Sequence, residues 1–130
     1  MIASMVNALV TWERSTAKVL DSVTAAASHT PDRQPIRKSC VQVQLGGAPT
    51  GTVTVNGTVA GATDSEDLSW AGTAGSRATI KEFTALTPFA TSLSGATTIE
   101  ALAVGPSGQP QATQYTLKSG HPVQFAEDAS

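Results

Sequence analysis

The stretch GTVTVNGTVAGATDSEDLSW, residues 51–70, decides the fold class. Val53 and Val55 alternate with Thr52 and Thr54, the period of two that sends successive side chains to opposite faces of a strand. Val59 continues the pattern after Asn56-Gly57. Asn-Gly is a strong hairpin signal, but a turn there leaves flanking strands of only a few residues. A longer strand with Gly57 at a bulge is the better reading. The turn then falls in AGATD, residues 60–64, and EDLSW, residues 66–70, returns antiparallel.

Working outward, KSCVQVQL at residues 38–45 is the clearest strand. Val41, Val43 and Leu45 point one way and Gln42 and Gln44 the other. Gly46, Gly47 and Pro49 are expected to end it. LVTWERST and AKVLDSVT, residues 9–24, carry the β-branched and aromatic residues of further strands. AAASHTPDRQP, residues 25–35, reads as a loop, because Pro31 and Pro35 deny regular structure. RATIKEF at 77–83 and TTIEALAVG at 97–105 are the next strands, the latter apolar on both faces, as for a strand covered on both sides. TQYTLKS at 113–119 and PVQF at 122–125 close the pattern. The first ten residues place Ile2, Met5, Val6, Leu9 and Val10 at helical spacing, a pattern that fails at Glu13; they read as a short helix or an extended arm.

The expectation is an all-β chain: an antiparallel β-sandwich of about eight short strands, Ig-like or jelly-roll-like. Residues 1–10 form the N-terminal arm, and residues 11–130 a single sandwich domain. The composition agrees. Only 14% of the 130 residues are charged and net charge is −2, while 40% are hydrophobic. That excludes a coiled coil and wholesale disorder. Thr and Val are stiff at χ1 and pack well on a pleated surface.

Groups that do chemistry are scarce. HExxH, CxxC, GxSxG and P-loop patterns are all missing from the sequence. His29 and His121 sit beside turn prolines and read as polar surface. Cys40 is the single cysteine, which excludes an intramolecular disulfide, and it reads as a strand-end or buried thiol. Asp64, Glu66 and Asp67 are the one acidic cluster; they lack Ca²⁺-loop spacing and read as turn chemistry. Asn56-Gly57-Thr58 matches a glycosylation sequon, relevant only in a secretory pathway, for which no signal segment is seen. Trp12 and Trp70 read as packing anchors, with a sugar-stacking platform as the alternative. No catalytic residue, cofactor or metal ligand is assigned, and the chain is expected not to be an enzyme. The basic cluster of Arg33, Arg37 and Lys38 lacks interleaved aromatics, so nucleic acid is not an expected partner. Glu13, Arg14, Lys18 and Asp21 interrupt any apolar span, so neither is a membrane.

The run GTVTVNGTVAGATDSEDLSWAG followed by RATIKEFTALTPFATSL resembles a segment that recurs in small structural proteins of tailed bacteriophages. The matching residues are Gly51, Thr52, Val53, Thr54, Val55, Gly57, Ser65, Glu66, Leu68 and Phe83. The resemblance spans residues 41–104, about half of the chain. It implies a non-enzymatic virion component, made in the bacterial host cytoplasm, that works by repeated contacts with itself and with other virion proteins. A head–tail neck position comes first, with capsid decoration, a tail-surface role or an Ig-like carbohydrate-binding module as alternatives. The interface residues expected on this basis are Ile2, Met5, Val6, Leu9, Trp12, Arg33, Arg37, Val123 and Phe125. The apolar N-terminal ones would be costly to leave in water as one patch.

Overall fold

The computed structural model describes residues 17–113, and those residues contain six strands and no helix. They are β1 (Lys18–Thr24), β2 (Ser28–His29), β3 (Cys40–Val59), β4 (Ala62–Ala71), β5 (Gly75–Ala78) and β6 (Ala85–Val104). All pairings are antiparallel and belong to one sheet of order β1-β6-β3-β4, with β2 on β6 and β5 on β3. The all-β, antiparallel expectation therefore holds. The expectation of short strands does not: β3 and β6 are 20 residues each and pair with one another along most of their length. The expected strands at residues 9–16 and 122–125, most of that at 113–119, and the arm at 1–10 lie outside the described residues.

The two long strands organise everything else. The first part of β3 and the last part of β6 lie between β5 and β1, with Leu45 opposite Ile99 and Val43 opposite Ala101. The second part of β3 and the first part of β6 lie between β4 and β2. Val41, Val43, Leu45, Val53 and Val55 of β3 are all buried, so the inward phase runs through the whole strand. They join Val19, Leu68, Trp70, Phe83, Phe89 and Ile99 in one hydrophobic cluster. A straight strand of that length would stretch about 66 Å, but the β3–β6 ladder is interrupted by three register shifts.

Gly46, Gly47 and Pro49 do not end the strand as expected; they irregularise it. The β3–β6 register shifts between Leu45 and Gly47 and again between Gly47 and Thr50, and the ladder then continues. Gly47 has φ of +83°, and a Cβ there would sit 2.6 Å from the Gly95 carbonyl oxygen, so glycine admits a kink that a side chain would block.

The bulge expected at Gly57 is instead on the partner strand. Thr54 pairs with Ala90 and Asn56 with Thr87, so Pro88 and Phe89 together oppose Val55. Proline is tolerated there because a bulge leaves a residue outside the ladder. The extra residue also changes the parity of β6, so that Leu86 and Phe89, three apart, both turn inward. Gly57 is glycine for another reason: a Cβ would fall 2.0 Å from the Ala85 carbonyl oxygen and 3.0 Å from the Phe83 ring.

The hairpin turn is where the sequence placed it. Val59 pairs with Ala62, leaving Ala60-Gly61 as a two-residue loop with φ of +51° and +84°. Both positive angles are those of a type I′ turn, which matches strand twist. Ala60 is a non-glycine residue in left-handed backbone, at a cost of about 1 kcal/mol. Ala60→Asn is therefore expected to raise the unfolding free energy by roughly 0.5–1 kcal/mol, measured by urea denaturation.

The strand expected at 77–83 stops at Ala78. Thr79 still pairs with Val41, donating its N–H to the Val41 carbonyl while its Oγ1 accepts from the Val41 N–H, both at 2.9 Å. The chain then turns, leaving Ile80 88% exposed, and re-enters the core at Phe83, which bridges Ser39 through two backbone hydrogen bonds of 2.7 and 3.0 Å.

Candidate interaction surfaces

The alternation that buries Val53 and Val55 turns the even-numbered residues of β3 outward, and the register places each between two neighbours. Thr50 lies between Ala71 and Ser94, Thr52 between Ser69 and Ser92, and Thr54 between Asp67 and Ala90. Asn56 lies between Ser65 and Thr87, and Thr58 between Thr63 and Ala85. Of these fifteen positions ten carry a hydroxyl and one, Asp67, a charge. At a usual surface density of 25–35% charged residues, about four or five would be expected. None is a large apolar or aromatic residue, so the side chains of this face are small and nearly uncharged.

Charged side chains elsewhere are mostly engaged in fixing loops. Arg33 binds Asp21 with two N–H donors, at 2.8 and 3.1 Å, and its Nη1 also donates to the Lys18 carbonyl at 3.4 Å. Asp32 and Arg33 donate their backbone N–H groups to the Val19 carbonyl, at 2.7 and 3.1 Å, and Asp32 accepts the Asp21 N–H at 2.8 Å. Together these tie the end of segment 25–35, expected to be all loop but containing β2, across β1, and cover part of an edge that would otherwise present free backbone groups. Arg33, expected at a subunit contact, is held by these groups of its own chain. Arg37 is exposed, has no ion-pair partner among the described residues, and borders a small concavity with Gln109 and Gln111. Ile2, Met5, Val6, Leu9, Trp12, Val123 and Phe125 lie outside the described residues.

The acidic cluster is dispersed among donors. Asp64 pairs with the Lys81 ammonium at 2.8 Å, and Lys81 also donates to the Ser65 carbonyl at 2.9 Å. The hydrogen bond donated to Asp64 by the Lys81 ammonium, followed by one from the Ser65 N–H, holds the Asp64 carboxyl below its usual range. Glu66 accepts the backbone N–H groups of Ile80 and Lys81 at 2.9–3.0 Å, so its carboxylate holds the turn that follows β5. Asp67 accepts the Thr54 hydroxyl at 2.7 Å. Among the described residues no group of three His, Cys, Asp or Glu side chains converges.

His29 is a correction to the sequence reading. It is 7% exposed rather than surface, pairs with Phe89, and its Nε2 accepts the Ala26 N–H at 2.9 Å. Loop composition gave no sign of this, because the burial comes from β6, sixty residues away in the chain. Cys40 is buried at the start of β3, as expected. Burial, with smaller contributions from Glu82 and Glu66, raises its pKa above the ordinary thiol value. The fold therefore favours the neutral thiol. Its contribution to stability is complete below the unfolded thiol's pKa and is lost as pH rises through the folded one. Cys40 is expected to resist iodoacetamide at pH 8 in the native protein and to react once urea unfolds it, with mass spectrometry as the readout.

Trp70 is buried; its Nε1 donates to the Gly75 carbonyl at 3.1 Å and the Arg77 guanidinium lies 5.8 Å from its ring centre. It offers no open ring for a sugar to stack on. A concavity of about 530 Å³ lies between residues 25–27 and residues 91–96 of β6, with Thr50 also bordering it, and its lining is uncharged. No helix among the described residues is long and apolar enough to cross a membrane. No protein-family model, curated protein or solved structure matches the chain.

Proposed function

We propose that this chain is a non-enzymatic structural protein of a tailed-phage virion, whose copies meet through the outward face of β4, β3 and β6. The observation that carries the reading is that face's single charge in fifteen positions. A solvated sheet face normally carries Lys and Glu, which keep copies apart. Hydroxyls both donate and accept, so a field of them is complementary to itself. Three strands by ten residues amount to about 14 × 33 Å, or about 450 Å², against about 800 Å² per partner in a stable complex. One such contact is weak; repeated under symmetry, or joined by residues outside 17–113, it becomes avid. The phage assignment itself rests on the resemblance of residues 41–104, and within the particle the neck is preferred over capsid decoration or the tail surface. Closure of the sheet into a two-layered sandwich of about eight strands belongs to the same reading.

Sedimentation velocity of the full chain over a concentration series tests this. Self-association is expected in the wild type. Thr52→Lys and Thr52→Glu should each be monomeric with nearly unchanged melting, and a mixture of the two should associate. A wild type that stays monomeric throughout, or a Thr52→Lys protein that associates as the wild type does, overturns the shared-face reading. A gene lying apart from portal and tail genes would count against the virion assignment separately. The carbohydrate-binding alternative loses Trp70 as a stacking surface.

A further inference from the structure

We draw no further inference here: the strongest candidate, the turn at residues 79–81 that holds an exposed Ile80 on backbone pinned by Glu66 and Thr79, carries none because nothing in the structure shows what covers that side chain.

Discussion

Phe83→Ala is expected to lower the unfolding free energy by about 4 kcal/mol, the usual range for a fully buried phenylalanine being about 3–5. Phe83 is fully buried and belongs to the single hydrophobic cluster. It also lies between elements, in the segment joining β5 to β6, where its backbone bridges Ser39. Its ring is what brings that segment down against β3. Truncation removes the transfer term and leaves a void that two long paired strands cannot easily collapse into. Denaturant unfolding followed by intrinsic tryptophan fluorescence would measure the loss. A change under 1 kcal/mol would mean that the site is not the packed centre described above.

Gly57→Ala is the second large effect, about 3 kcal/mol or more, at the upper end of overpacking costs. Its φ is not in the left-handed region, so the penalty is steric rather than conformational. The new Cβ would meet the Ala85 carbonyl at 2.0 Å, and that carbonyl belongs to a paired strand that cannot move alone. Gly61→Ala separates the two kinds of cost. Gly61 has φ of +84° and open space around it, so only about 1 kcal/mol is expected. Repeating Gly57→Ala in the Phe83→Ala background distinguishes ring from carbonyl. The penalty should persist, because the Ala85 contact remains; its disappearance would assign the requirement to the phenyl ring.

These two residues also show how far a local reading reaches. Asn56-Gly57 carries the stronger hairpin signal, yet the turn forms at Ala60-Gly61. A turn at 60–61 sets Val53 opposite Leu68 and Gly51 opposite Trp70, ten pairs in all, with the apolar residues of both strands on the buried face. A turn at 56–57 would forfeit most of those pairs. That comparison needs only residues 50–71, which is why the strand, its turn and its return are legible. The bulge is not legible at its true place because its cause, the parity change that lets both Leu86 and Phe89 turn inward, lies on a strand some thirty residues away.

The candidate surface divides in the same way. That Thr52 and Thr54 face opposite to Val53 and Val55 is a property of the pleat and follows from sequence. That Ser69 and Ser92 flank Thr52 depends on register between strands and does not. That Asp21 holds Arg33 depends on the fold, and His29 reads as surface until β6 buries it.

The sequence alone determined that residues 41–45, 51–59, 66–70 and 97–104 form strands of an antiparallel all-β fold, which side chains of 41–45 and 51–55 point together, and where the β3–β4 hairpin turns, but not that residues 85–96 are strand. Those are matters of period and short-range turn chemistry, settled within about twenty residues. Tertiary structure alone decided that Cys40–Val59 and Ala85–Val104 pair as two long central strands, that glycines at 46 and 47 kink a strand instead of ending it, and which hydroxyls share a face. Those depend on contacts between residues far apart in the chain, where the loss of loop entropy is recovered only when many apolar groups are buried together.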